Sequence, residues 1–569
     1  MSNENIDIIT LANRVANEKE NIRQAIETRG VTIPETTPLA DYPAKIMAID
    51  TENTASDVYY RDPDFDTSAT SFTLPGNYGV VADGALAGYT NLESVDLQYA
   101  NAIFPEALAD NTNLASFTGD HLKYVGNNAF ASTGLEALNN SHIQRIDNGG
   151  FENCSLLESV SLPNCAHVGS AAFSMDTALE SVSLPECTEV GSFAFEGDSM
   201  LTSINLPKVE KVPASTFRDC GNSAYTQYSR TIAIDMPACT SIGGNAFRNV
   251  NNIASINLPV CTNIGDYAFN RESSTATNTN IIDLSSVETI GNYNFVSYYS
   301  NAYNAYVTAG VVLNFPNCTS IGHYSFKSLA NNQANRELIV SDLGCSIGYN
   351  VFSNTSTYVG TAGLYTNAPT KVLGKLTEVG ASSFGWHINQ SGATFNPTSV
   401  VNIDIDFSSI RYLRDNYSAT SSARICFSCY NQGAANSTIG QFPYYNFTGG
   451  ALDFSSFVDT VSSYGTSLTF APYFFSDSGY SGTSSVNYSL RGHNVRKIWI
   501  PSTCNRIKIG LMGANSSDPI HIYTDASAAK SEWHLAGRSM NATDLGTTAY
   551  GVVHTNCTHQ DFIDGTYNV

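Results

Sequence analysis

At 569 residues the chain is too long for one small core, so it either holds several domains or grows by repetition. Lys and Arg total 28 against 51 for Asp and Glu, a formal charge of −23 that repels nucleic acid and anionic lipid and argues against both as partners. Only 14% of residues are charged, so Ser, Thr, Asn and Tyr must carry the polar exterior, and no apolar run approaches the roughly 18–20 residues that span a bilayer.

The chain opens MSNENIDIITLANRVANEKENIRQ, without the basic segment, apolar core and small-residue cleavage site of a secretion signal. The expectation is a protein retained in the cytosol unless it leaves within an assembly, with no membrane insertion. Ile8, Val15 and Ile22 recur at intervals of seven, flanked by Leu11, Ala12, Ala25 and Ile26, which predicts an amphipathic helix over 5–28 that Gly30 terminates. Its length is at the lower limit for a coiled coil, so it either folds onto its own chain or makes the protein a homo-oligomer. Residues 19–46 read KENIRQAIETRGVTIPETTPLADYPAKI, with Lys19, Ile22, Ala25, Ile26, Gly30, Val31, Pro34, Pro38, Tyr42, Lys45 and Ile46 at the marked positions and Ile33 where valine is commoner. This stretch resembles a short helix-loop-helix module of bacteriophage tail and appendage proteins. The resemblance implies that residues 1–53 are a helical module for attachment to other virion proteins.

Residues 54–90 read as a linker and N-terminal cap. Asp62, Asp64 and Asp66 have the spacing of the first ligands of a calcium loop, yet Thr67 replaces the turn glycine and no Glu stands twelfth. A solvated acidic linker is the preferred reading.

From 91 to 400 the chain repeats itself. LESVSLPNCAHVGSAAFSMDTA (157–178) is followed by LESVSLPECTEVGSFAFEGDSM (179–200), a period of 22 residues. Val160 and Leu162 alternate with Ser159 and Ser161, predicting a strand with one apolar face. Proline at 163, 185, 207, 237, 259 and 316 stops it, having no N–H to donate. Cys165, Cys187, Cys239, Cys261 and Cys318 follow and read as reduced, buried thiols filling a narrow core. After Val or Ile at 168, 190, 242, 264 and 321 come Gly169, Gly191, Gly243, Gly265 and Gly322, where a turn of positive φ is expected. Phe173, Phe195, Phe217, Phe247, Phe269, Phe295, Phe326, Phe352 and Phe384 are large plugs that no unit can bury alone, so neighbours must stack on one shared core. The pattern resembles the BspA-type leucine-rich repeat family. That implies a repeat solenoid, a parallel β-strand ladder with short helical or 3-10 turns, and leaves the ligand open.

Some periods are longer: 30 residues from Phe217 to Phe247, 31 from Phe295 to Phe326 and 32 from Phe352 to Phe384. The additions NSAYTQYSR, VSYYSNAYNAY and TSTYVGTAGLYTN are rich in Tyr, Ser, Asn and Gly. They are either binding loops, with rigid aromatic anchors among adaptable hydrogen-bonders, or ordinary polar insertions. Tyr298, Tyr299, Tyr303 and Tyr306 of one addition, with Tyr444 and Tyr445 of QFPYYNF, are the candidate ligand-binding residues. Across 401–495 the repeat is lost to an aromatic-rich stretch, read as expanded repeats or an inserted β element. Over 496–569, IWIPSTCNRIKI restores strand, proline and cysteine. Residues 520–537 resemble the last unit of BspA-type arrays, implying a final strand and a small-residue helix in which Trp533 covers the open core edge.

Catalytic constellations are not evident. Cys426 and Cys429 form a lone CxxC short of the four ligands zinc requires. Asp404 and Asp406 share a strand face and could serve as a carboxylate pair for glycan cleavage, but a polar outer face is the simpler reading. No metal or cofactor is expected. The sequence thus points to a non-enzymatic structural and recognition protein of a bacteriophage virion, in the tail, a tail fibre or another appendage. It would be assembled in the host cytoplasm and would present its solenoid to host-surface carbohydrate or a neighbouring virion protein. A BspA-like bacterial surface adhesin and a capsular polysaccharide depolymerase are the alternatives.

Overall fold

The structure, a computed structural model, describes residues 57–221, 232–250, 253–270, 284–295, 312–326, 337–352, 369–380, 383–388, 400–415, 427–431, 444–462, 494–505, 507–510, 519–530, 533–536 and 551–566. The helical module expected over 1–53 lies outside the described residues. Two compact units divide the chain, Met1–Met236 and Pro237–Val569.

In the first unit each repeat contributes two short strands and a turn. The strand Ser159–Ser161 buries Val160 and turns its serines outward, and it pairs in parallel with Ala137–Asn139 on one side and Ser181–Ser183 on the other. Ser203–Asn205 and Ile232–Asp235 continue this ladder. Each strand is followed by a buried leucine (Leu162, Leu184, Leu206) and the proline that ends it. The second strand, His167–Val168, lies between Arg145–Ile146 and Glu189–Val190. Its ladder starts at Asp57–Tyr59 and Tyr78–Val81, so ladder strands already run through the stretch read as linker and cap.

The turn closes the repeat. The N–H groups of Ala171, Phe173 and Met175 donate to the carbonyls of Ser192, Ala194 and Glu196, one repeat further on. Positive φ at Ala171 (54°) and Met175 (66°) accompanies this arrangement. The left-handed position therefore falls two residues past the repeat glycine, which corrects the sequence expectation: Gly169, Gly191, Gly243, Gly265 and Gly322 do not take positive φ. Close approach is what requires glycine. A Cβ on Gly169 would lie 2.5 Å from the Asp147 carbonyl carbon, and one on Gly191 would lie 2.3 Å from the Ser170 nitrogen. Behind the turn Phe130, Phe151, Phe173, Phe195 and Phe217 stack with centroids 5.0–5.5 Å apart and planes within 6° of parallel. All five are fully buried, each contributing about 1.5–3 kcal/mol of apolar transfer.

The second unit keeps this interior. Phe247, Phe269, Phe295, Phe326 and Phe352 stack at 5.3–5.7 Å, with planes 8–13° apart, before Phe384 tilts by 57°. Ser241–Ile242, Asn263–Ile264, Thr289–Ile290, Ser320–Ile321, Cys345–Ile347, Leu376–Gly380, Tyr412–Asp415 and Asp459–Ser462 form one parallel ladder. Leu413 pairs with Val379, 34 residues earlier, and with Thr460, 47 residues later. The region 401–495 therefore contains expanded repeats.

Ala451–Asp453, Lys497–Trp499, Ile520–Tyr523 and Gly551–His554 form a further parallel ladder. The α-helix His559–Asp564 follows, started by a Thr558–Asp561 capping box and stopped by Gly565 in the left-handed region. Phe562 packs with Trp499, Tyr523 and Cys557, and Lys497 Nζ donates to the carbonyls of Phe562 and Ile563 at 2.8 Å. The last described elements are thus this strand and helix. Trp533, expected to end a capping helix, instead begins a strand, Trp533–Ala536, paired with Ile507–Gly510. Among the described residues no helix is long and apolar enough to cross a membrane.

Candidate recognition surface

The left-handed turn position sits two residues before each plug, outside the core. In three successive repeats of the second unit it is tyrosine: Gly265-Asp-Tyr267-Ala-Phe269, Gly291-Asn-Tyr293-Asn-Phe295 and Gly322-His-Tyr324-Ser-Phe326. Their φ angles are 59°, 57° and 59°. Tyr267 and Tyr293 stack at 4.6 Å and 7°, Tyr293 and Tyr324 at 4.7 Å and 15°. The Arg248 guanidinium lies 5.9 Å from the Tyr267 ring centre. Beyond Tyr324, Tyr349 meets it edge-on at 5.1 Å and stacks on His323 at 3.7 Å. All of these side chains are half-buried.

The residue before each tyrosine fixes its place. Asp266 Oδ1 accepts the Asn292 N–H at 2.6 Å, Asn292 Oδ1 accepts that of His323 at 2.7 Å, and His323 Nδ1 accepts that of Tyr349 at 3.0 Å. Each side chain satisfies a backbone donor of the next repeat, and Nδ1 of His323 must be unprotonated to do so. The tyrosines are therefore held on a hydrogen-bonded turn ladder.

The family pattern of the BspA type leucine rich repeat region matches the chain in six copies, over residues 65–155, 111–224 and 221–358, more than half of its 569 residues. The chain is a BspA-type leucine-rich repeat protein. Solved structures similar to this leucine-rich repeat chain include a leucine-rich repeat protein from Bacteroides ovatus, at 15% identity over 68% of this chain and 79% of that one, with a TM-score of 0.34. A leucine rich cell surface protein from Faecalibacterium prausnitzii is 16% identical over 68% of this chain and 92% of that one, with a TM-score of 0.30. The pneumococcal vaccine antigen PcpA is 17% identical over 63% and 78%, also with a TM-score of 0.30. No curated protein sequence matches the chain.

Within this leucine-rich repeat frame the residues singled out from sequence fall in different places. Tyr298, Tyr299, Tyr303 and Tyr306 lie outside the described residues. Tyr444 and Tyr445 stand on the strand Tyr444–Phe447, opposite Val400 and Val401. The column Tyr267, Tyr293 and Tyr324 escaped the sequence reading, although GDYAF and GHYSF were in view, because only their glycine and phenylalanine were given roles. Asp404 and Asp406 are both exposed, and Asp406 Oδ1 accepts the Ser408 N–H at 2.8 Å. Asp62 and Asp66 likewise accept backbone N–H groups, from Asp64 and Ser68 at 2.9 Å, and the Ser68 bonds hold the Asp66 carboxyl below its usual range. Cys429 lies on the strand Phe427–Asn431, while Cys426 is outside the described residues. Among the described residues no cluster of His, Cys, Asp and Glu could hold a metal ion.

Two groups of buried polar residues belong to the scaffold. Cys165, Cys187, Cys239, Cys261 and Cys318 are buried without disulfides, and each thiol donates to the carbonyl two residues on, at 3.2–3.5 Å. Burial pushes Cys165 and Cys187 up to about 12. Asp176 Oδ1 accepts the Cys154 N–H at 2.7 Å and Asp198 Oδ1 that of Asp176 at 3.0 Å, while Oδ2 of both carboxyls has no partner. Burial raises both carboxyls well above their usual range, which favours the neutral acid.

Proposed function

We propose that this leucine-rich repeat protein is a non-enzymatic recognition protein of a bacteriophage particle, joined to other virion proteins through residues 1–53 and turning the aromatic surface of its second unit to host-cell carbohydrate. The observation that carries the reading is the half-buried column of Tyr267, Tyr293 and Tyr324 on a hydrogen-bonded ladder. Rigid aromatic side chains on a preorganised scaffold bind with little ordering cost. The pattern of residues 19–46 supports the virion setting, and the charge of −23 disfavours a nucleic-acid partner. Of the pair that a hydrolase reading would enlist, Asp406 caps the turn at Ser408, which supports a binding role.

Mass spectrometry of purified particles should find the chain among their proteins. Recovery in the host envelope fraction, with none in the particles, would replace this reading with a surface adhesin. Incubation with capsular polysaccharide should leave polymer length unchanged, whereas shortening would make the protein a depolymerase.

A further inference from the structure

We infer that the helix His559–Asp564 is a cover opened by acid: protonation of both members of the His521–His554 pair releases it and lays bare Trp499 and Tyr523. This concerns the ladder of Ala451–Asp453, Lys497–Trp499, Ile520–Tyr523 and Gly551–His554 alone and does not rest on the recognition reading.

Strand register brings the parts together. Ile498 and Ile522 point into the core and are buried, so their neighbours along the strands face outward. On that outward face Trp499 pairs with Tyr523 and Tyr523 with His554, and two residues back along the strands Lys497 pairs with His521. The corresponding strands of the first unit turn serines outward, among them Ser161 and Ser183. Two large aromatic side chains in that place need a cover, and the helix lies over them. Phe562 meets Trp499 and Tyr523 at 6.2 and 5.8 Å, and with Cys557 of the turn before the helix they form one buried cluster.

Two imidazoles in direct contact hold the hinge of this cover. His521 Nδ1 and His554 Nε2 are 2.8 Å apart, with ring planes within 2° of parallel. Such a bond needs one of the two nitrogens unprotonated. Two imidazolium rings offer each other only donors and like charges, and Lys497 on the neighbouring strand, with Arg496 before it, adds further positive charge. The carboxylates of the packed elements are already engaged: Asp453 with His559, Asp561 with Thr558, Asp564 with Gln560 and Asp525 with Ser502. Protonating His559 strengthens its contact with Asp453, which opposes release, but the neutral ring makes that bond as well. His554 is tied to the cover through the turn, because its carbonyl accepts the Thr524 N–H at 3.0 Å and the Cys557 thiol at 3.5 Å, and its ring lies 5.1 Å from that of Tyr523. Burial and then the charge of His521 hold the His554 imidazole below its usual range. The open form therefore binds protons that the closed form refuses, so closure is complete above the ordinary imidazole value of about 6.5 and is lost as pH falls below it.

Labelling of Cys557 reads the cover directly, since the thiol is buried with Phe562 beneath it. The full chain is treated with dithiodipyridine, which reacts with thiols in acid, at about pH 7.5 and about pH 5, on either side of the imidazole range. Peptide mass spectrometry then gives the rate at each cysteine, divided by its rate in the denatured chain at the same pH. The corrected rate of Cys557 should rise at least about tenfold in acid, as a one-unit shift in a single group produces, while Cys504, buried behind the strand Lys497–Trp499, stays slow. His554→Gln and His521→Gln each leave one imidazole beside an amide that donates or accepts, so Cys557 should be labelled slowly at both pH values. Where one variant is labelled at neutral pH as fast as the denatured chain, the other carries the comparison. A parent in which Cys557 is equally slow at both pH values overturns the inference, and so does a folded variant that responds to acid as the parent does. A rise shared by Cys504 overturns it too, because the ladder and not the helix would then be opening.

Discussion

The two units have the same kind of stacked interior and differ in their turns. In the first, Phe151, Phe173, Phe195 and Phe217 follow one another every 22 residues with planes 2–3° apart, and Ala171, Phe193 and Ser215 occupy the left-handed position. In the second, the spacing from Phe269 to Phe295 is 26 residues and from Phe295 to Phe326 is 31, and tyrosine occupies that position in successive repeats. Stacking explains why the interior is held while the turn varies. A plug must match both neighbours, since a mismatch opens a cavity shared between repeats, whereas an outer turn residue need only keep the ladder of N–H donors. The regular unit reads as scaffold and the irregular one as the part fitted to a ligand.

The largest expected effect breaks the interior. Phe195→Ala should cost about 3–5 kcal/mol in chemical denaturation, with faster amide exchange spreading to the turns of Phe173 and Phe217. Phe384→Ala should fall at or below the lower end of that range, because Phe384 meets its neighbour at 57°; equal costs would mean that the tilted plug packs as tightly as the stacked ones. Next come the glycines. Gly191→Ala forces a Cβ to within 2.3 Å of backbone and should cost about 1–3 kcal/mol. Gly244→Ala should be far milder in the same thermal melts, since its Cβ would meet only the Asp266 oxygen at 3.3 Å.

A pH series sharpens the comparison. With folded-state values raised by burial, Asp176 and Asp198 bind protons in the folded chain that the unfolded chain has released. Their contribution is full below the usual carboxylate range and is lost as pH rises toward the folded values, by at most about 1.4 kcal/mol per pH unit for each group. Melting of the parent should therefore fall from pH 4 upward, and Asp198→Asn should flatten the slope and melt higher at neutral pH; a parallel slope in the variant would contradict the burial argument. The smallest effect is a non-event. Cys165 and Cys187, held at about 12, should resist thiol reagents in the native chain and react fully after denaturation. A disulfide at either would contradict their reading as reduced thiols.

The strands, plugs and thiols were legible in the sequence because burial restricts residue type at every repeat. Glycine was harder to read. The same residue serves positive φ and close approach, and only the structure shows that Gly169 serves the second while Ala171 takes the first. The strands of 401–495 were hidden by spacings of 34 and 47 residues between paired positions, too long for a period to show. The last helix had its capping box in plain view at Thr558 and Asp561. It was missed because a cap was already assigned to Trp533. The tyrosine column was visible as letters, but its stacking follows from a φ sign that sequence does not carry.

Amide exchange of the full chain, with and without polysaccharide released from the host envelope, tests most directly the division into scaffold and recognition surface. The account predicts added protection in 263–270, 289–295 and 320–326, with 57–221 unchanged. Protection confined to 57–221, or none anywhere while the chain still binds host cells, would contradict it.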